Sequence, residues 1–284
     1  MKASELMDLI KPYQDHDDIS FEQMKLIFGE ESKFDIRKFY KKINVLDHGF
    51  VELIDGPAED PRLKIVNAAR VSFAKESKEL SEKDEKLVNF LFDSGHFSTF
   101  RHSYFTFRIK APLFVVYHQW WKYQIGSEWI NSEEDLMGFK SAEVKLPSTD
   151  WNQMSFRYVE VEPVFYIPNE IRKQSSQNKQ GSFGKLEFIK NGENSIKYYE
   201  ESCMLLYDRY KYLVDSGAAK EQCRGLLPPC IYSECIWTAS LQTLLFFLSQ
   251  RLKEDSQFEI RQYALALVSI LKPLLEPLTI VKAS

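Results

Sequence analysis

Cysteine is scarce in this 284-residue chain: Cys203, Cys223, Cys230 and Cys235 are the only four, and no two form a CxxC pair. That spacing fits neither a disulfide-framed secreted scaffold nor a common structural zinc site, so reduced thiols and no metal are expected. Charge of one sign is not in excess either. With 37 Lys and Arg against 41 Asp and Glu, the net charge is −4 and no basic field marks a nucleic-acid partner. Long apolar runs are missing: Tyr263 to Leu271 falls far short of the roughly 20 residues a membrane span needs. Met1 to Asp18 is acidic and does not read as a secretory signal. Internal repeats and low-complexity tracts are absent as well. The expectation is a soluble, cytoplasmic protein without a membrane or nucleic-acid partner. What is plentiful is aromatic: 21 Phe, 14 Tyr and a 44% hydrophobic content can fill one substantial core.

Residues 1–41 are polar and read as an N-terminal extension, with Ile19, Phe21, Met24, Leu26 and Ile27 as possible docking groups. Ile43 to Ile54 reads as two strands about a turn at Asp47, His48 and Gly49. Ser81, with Asp84 three residues on, has the form of a helix N-cap, and Gly95 suits the stop of that helix. Tyr104 to Lys110 alternates, Phe105, Phe107 and Ile109 against Thr106, Arg108 and Lys110, as a half-buried strand does. Pro112 then suits the first turn of a helix running to Gln124. Tyr158 to Glu162 alternates again. Leu241, Leu244, Leu245, Leu248 and Leu252 follow helical spacing, and Phe258 to Leu271 continues as a second apolar helix. Strands first and helices later favour an α+β architecture.

Three polar clusters interrupt these apolar patterns. Gln119, Lys122 and Gln124 end the first long helix. Asn152, Gln153, Ser155 and Arg157 form the second, where an extended chain would aim Ser155 and Arg157 the same way. A hydroxyl beside a guanidinium makes a phosphate cradle, because Arg is permanently charged and matches phosphate oxygens with two bonds; an ordinary exposed Arg on a surface strand is the plain alternative. Third, Ser240 and Arg251 are spaced to share a helix face about 16 Å apart. Arg251 falls at the edge of an apolar stripe and so needs an anion or several acceptors, which Glu254, Asp255 or Glu259 could also supply.

At these clusters the chain resembles the flavin-dependent thymidylate synthases. The matching text comprises Ala68 to Ser72, Gly95 with His96, Phe100 to His102, Phe105 to Pro112, and Gln119 with Trp120. It goes on through Ser155, Arg157 and Tyr158, Phe165 to Pro168, Arg224 with Leu227 and Pro228, Trp237 with Thr238, and Arg251 followed by Gln257, Glu259 and Ile260. Any one string is weak, but their order from Ile43 to Leu271 is specific. The resemblance implies a central antiparallel twisted sheet packed with helices over residues 42–284, with an insertion at 130–151. It implies reductive methylation of deoxyuridine monophosphate (dUMP) to thymidine monophosphate, with methylenetetrahydrofolate as one-carbon donor, FAD as redox carrier, NADPH as reductant, and no protein nucleophile. Arg251 would be catalytic, favouring the ionised uracil. Gln119, Lys122, Gln153, Ser155, Arg157 and Arg224 would hold dUMP with it. Ser98, Lys122, Tyr123, Gln124, Gln153, Ser240 and Gln242 take the flavin positions. Homotetramers with shared active sites are implied too.

Departures from the family fall on the flavin side. Lys122, Tyr123 and Gln124 replace Arg-His-Arg, Gln153 replaces Glu, and Ser240, Gln242 and Phe246 replace Asn, Arg and Asn. His118 is one residue more than the family has beside Gln119, and it has no assigned role. His102 reads as a structural imidazole, and the polar run from Gln174 to Ser182 as a loop. Leu227 to Cys230 mimics the nucleophile segment of the cysteine-dependent thymidylate synthases, but Ile231 stands where that class has His. A divergent enzyme that hydroxymethylates dUMP, and a nucleotide-binding homologue without catalysis, remain open readings.

Overall fold

The computed structural model describes residues 34–121, 150–176, 179 and 181–275. The docking groups expected between Ile19 and Ile27, and nearly all of the expected insertion, lie outside the described residues. Strands β1 (Lys42–Val45) and β2 (Gly49–Asp55) form the expected hairpin. Helix α1 (Pro61–Arg70) follows, then α2 (Glu82–Asp93). Ser81 and Asp84 make the expected capping box: Ser81 N and Oγ donate to Asp84 Oδ2 at 2.9 and 2.7 Å. Burial pushes the Asp84 carboxyl up, but these bonds and the adjacent Arg70 outweigh it and hold the group below its ordinary value. Gly95 ends the helix at φ 74, as expected of a left-handed stop.

Strand β3 (Tyr104–Pro112) buries Phe105, Phe107 and Ile109 completely, as its alternation predicts. It leads into a short helix, α3 (Leu113–Val115). Next come β4 (Trp151–Gln153) and the separate hairpin β5 (Arg172–Gln174) with β6 (Ser182–Lys185). Helices α4 (Ser195–Asp215) and α5 (Lys220–Cys223) precede the long strand β7 (Tyr232–Ser240), and α6 (Leu241–Arg251) and α7 (Phe258–Leu275) are the last of the described elements. The main sheet has the order β1-β2-β3-β7-β4, antiparallel throughout. Trp151, the last residue of the expected insertion, pairs in the sheet opposite Trp237.

One expectation is corrected here. Tyr158 to Glu162 is not a strand: Tyr158 and Val159 both donate backbone N–H groups to Ser155 O, at 3.1 and 3.2 Å, which folds the segment into a turn. Helices α4 and strand β7 escaped the sequence reading altogether. Asn194 caps α4 by accepting from the N–H groups of Ile196 and Lys197, and Cys203 and Tyr210 point into a second core with Phe156, Phe165, Leu227 and Cys230.

The main core lies between the sheet and helices α6 and α7. Its closest backbone approach is at Gly49. A Cβ there would sit 2.1 Å from Tyr263 Oη and 2.8 Å from Lys110 O, the same carbonyl that accepts the Tyr263 hydroxyl at 2.8 Å. Gly49→Ala is therefore expected to destabilise the fold by about 3 kcal/mol, read as a lower urea midpoint; an unchanged midpoint would show that Tyr263 moves aside freely.

Candidate active site

The site begins where β3 hands the chain to α3. Pro112 is the N-cap of α3 rather than a residue of its first turn, and the α-helix lasts only three residues. Val116–Trp120 is a π turn, closed by Trp121 N donating to Val116 O at 2.8 Å. A π turn holds one residue more than an α turn, and it falls where the resemblance implies one additional residue, His118. Trp120 still reaches the core, stacked on Phe247 with ring centroids 5.0 Å apart. The expected helix is thus an α turn followed by a π turn as far as Trp120, and Lys122, Tyr123 and Gln124 lie outside the described residues.

The opposite approach comes from β7. Its last residue, Ser240, is buried and accepts from Thr243 N at 3.1 Å, capping α6. Ser240 is thus the cap of α6 rather than a residue within it, and it and Arg251 stand at the two ends of the helix, as their eleven-residue spacing expected. Arg251 follows Phe247 by one turn and so lies on the same side of α6. With Trp120 packed on Phe247, its neighbour Gln119 meets Arg251 in one open groove, which His118, Tyr166, Arg172 and Gln257 also line.

Behind that groove sits a buried carboxylate. Glu259 Oε1 accepts from Arg172 Nη2 at 3.0 Å and from Tyr166 Oη at 3.2 Å, and its Oε2 accepts from Gln257 Nε2 at 2.9 Å. Gln257 Oε1 in turn accepts from Gln119 Nε2 at 3.4 Å. Glu259 is thus committed to Arg172, where the sequence had suggested Arg251. The Tyr166 hydroxyl is held above its ordinary value, first by burial and then by the Glu259 charge. Sequence reasoning passed over Arg172 and Tyr166; the Phe165 to Pro168 string was the only signal for the latter.

The remaining expected residues lie elsewhere on the chain. Ser155 and Arg157 meet across the turn, Arg157 N donating to Ser155 Oγ at 3.4 Å, and not side by side on a strand. The Arg157 guanidinium lies over the Tyr158 ring, 5.2 Å from its centroid. Arg224 is exposed on a 3-10 turn after α5, its Nε donating to Glu221 O at 3.3 Å. Neither lines the groove of Arg251. Their neighbours Phe156 and Cys223, however, share the second core. Gln153 is committed within the fold: Nε2 donates to Ser233 Oγ at 3.0 Å, and Oε1 accepts from the Tyr117 hydroxyl. Ser98 is exposed on the 3-10 helix Phe97–His102, and the Nε of Arg101 on that same helix donates to Gln242 Oε1. Phe246, one helical turn beyond Gln242, is 58% exposed. Among the described residues, no cluster of His, Cys, Asp or Glu is arranged to hold a metal ion, and no helix is long and apolar enough to cross a membrane.

The sequence profile of the thymidylate synthase complementing protein family matches residues 52–275. A flavin-dependent thymidylate synthase from Thermosipho africanus is 35% identical over 228 residues, which cover 80% of this chain and 88% of that one. Another, from Kosmotoga olearia, is 35% identical over 231 residues, 81% and 88% of the two chains. Among solved structures, the UMP/dUMP methylase PolB from Streptomyces cacaoi bound with 5-Br dUMP aligns with a TM-score of 0.61 at 26% identity, covering 82% of this chain and 93% of that one.

The π turn yields a test of its own. Deleting His118 lets the segment close as an α turn with Trp120 in the same place, so the melting temperature should stay within about 4 °C of the parent. A drop of tens of degrees would show that the turn does not absorb the extra residue.

Proposed function

The chain belongs to the flavin-dependent thymidylate synthase family, and we propose that it methylates dUMP to thymidine monophosphate, with methylenetetrahydrofolate as one-carbon donor and FAD and NADPH as the redox pair. The observation that carries this reading is that Gln119 and Arg251, on the segments that follow two paired strands, line one groove. The relative solved with 5-Br dUMP supports the same substrate class.

Each residue then has a defined task. Arg251, a permanent cation, stabilises negative charge on the uracil ring and so favours the ionised, electron-rich form. Gln119 hydrogen-bonds the nucleotide beside it. Arg157, Ser155 and Arg224 supply phosphate contacts from a different part of the surface, so one chain does not gather the whole set around its own Arg251. A homotetramer whose sites combine residues from neighbouring copies meets that need. Working in the cytoplasm needs no membrane or nucleic-acid partner, and the catalytic domain of 42–284 also takes in the end of the expected extension, where Ile36 is buried in the main core with Phe34 and Phe39 packed against it.

The flavin residues fit in part. Ser98 and Gln242 on adjoining elements, with the exposed Phe246 ring one turn on, offer polar contacts and a stacking face. Lys122, Tyr123 and Gln124, which the resemblance assigns to the flavin, lie outside the described residues. Ser240 does not fit, because its hydroxyl is spent on capping α6, and Gln153 has both ends of its amide engaged. FAD would supply the route for the electron pair from NADPH to the ring. Those two misfits favour one second reading, a nucleotide-binding homologue without catalysis.

Titration of the purified protein with dUMP and with FAD, each alone, separates the two. The methylase reading expects both to bind, and product mass analysis to show a methyl rather than a hydroxymethyl group; dUMP binding with no flavin binding moves the assignment to the second. Arg251→Ala should weaken dUMP at least tenfold, and Arg251→Lys should not restore it, since a lysine lacks the planar fork.

Cys230 supplies the test against thiolate chemistry. Its sulfur lies 3.3 Å from that of Cys203, and hydrogen bonds from Cys203 first, and from Tyr199, bring its thiol down to about 7 despite burial. A thiolate at that value could attack a ring, but Cys230 is 3% exposed inside the second core and does not line the groove. Cys230→Ala is expected to keep kcat within about twofold while lowering stability by about 1 kcal/mol. A kcat loss of a thousandfold with the fold intact would install it as the nucleophile.

A further inference from the structure

We infer that Glu259 is a positioning residue for the nucleotide site: by fixing the amide of Gln257, it dictates which end of the Gln119 amide is left to face the ligand. This inference rests on the dUMP reading above and assigns a role to a residue that touches no substrate atom.

The argument is one of hydrogen-bond polarity. A carboxylate paired with a guanidinium accepts and does not donate. Glu259 is 4% exposed, and its two oxygens already take three donors, from Arg172, Tyr166 and Gln257. Gln257 must therefore turn its NH2 toward Glu259, which leaves its carbonyl oxygen toward Gln119. Gln119 must then give an N–H to Gln257, the contact seen at 3.4 Å. What it retains for a ligand is its carbonyl oxygen and a second N–H. The whole chain of choices begins at one buried anion. Position helps that anion: Glu259 lies in the first turn of α7, where helix N–H groups favour negative charge.

Glu259→Gln removes the constraint while keeping size and shape. An amide at 259 can donate to Gln257 Oε1, turning the Gln257 NH2 toward Gln119, which must then offer its oxygen to Gln257 and only N–H groups to the ligand. Restoring the acceptor in the other order, Glu259→Gln with Gln257→Glu, puts a carboxylate next to Gln119 and an amide behind it. Gln119 is then held as in the parent.

The test is equilibrium binding of dUMP to the full chain, with the melting temperature of each protein measured alongside. Glu259→Gln is expected to weaken dUMP about tenfold with the melting temperature within a few degrees of the parent, and the double variant to recover most of that loss. A merely structural role for Glu259 would lower the melting temperature in both variants and give no recovery of binding, which overturns the inference. Parent-like affinity in Glu259→Gln overturns it too. If the parent protein itself fails to bind dUMP, the functional reading falls, and this inference with it; binding by the parent but indifference to Glu259 leaves that reading standing and removes only this one.

Discussion

The pairing of β3 with β7 is the constraint on which the rest of the molecule depends. It runs unbroken from Tyr104 opposite Ser240 to Pro112 opposite Tyr232, joining stretches about 130 residues apart in sequence. Because the strands are antiparallel, their downstream ends lie at opposite edges, and the two site-bearing segments leave the sheet from opposite sides. Helix α6 must run back across the sheet for Arg251 to meet Gln119. The Trp120 ring against Phe247 marks where the two meet. A slip of one residue in this register would turn Phe107 and Trp237 out of the core and separate the two site residues together.

Burial and polarity are divided between two cores. The main one is almost wholly apolar and rigidifies the sheet, while the second, beneath α4, carries thiols and tyrosines and borders the Arg157 turn and Arg224. Between them runs a seam of polar groups in which each member has a partner: Asp47 accepts from the Tyr232 hydroxyl and from Ile167 N, and Glu259 from Tyr166 and Arg172. Buried polar groups left unmatched would cost more than they return, so such a seam fixes geometry only when it is complete. Tyr166 belongs to the second core and bonds Glu259 at the start of α7. The groove is therefore held by both cores at once.

Much of this was legible in the residues themselves. The alternation from Tyr104 to Lys110, the Ser81–Asp84 box and the leucine spacing of α6 each state a local preference that the tertiary structure keeps. Where the reading failed, a competing local interaction had won. At Val159 and Val161 the alternation was real, but Ser155 O captures two N–H groups and folds the chain into a turn. Ser240 looked like a helix-face residue because spacing does not distinguish a cap from a first turn. Helix α4 was missed because its outward side carries Tyr198, Leu205 and Tyr212, all exposed, which blurs the polar face that periodicity relies on. The groove could be anticipated only through family likeness, since no spacing rule connects residue 119 to 251, or Arg172 to Glu259.

The indole cluster has an optical consequence. Trp151 lies stacked on Trp237 with centroids 5.2 Å apart and planes 18° from parallel, and Trp120 meets Trp237 edge-on at 5.4 Å. Trp121 stacks on the other ring of that pair, Trp151, at 5.4 Å. Indole transition dipoles this close mix into shared excited states, so the folded protein is expected to give an exciton couplet in its circular dichroism. Since Trp120 adjoins Gln119 in sequence, that cluster lies one residue from the groove.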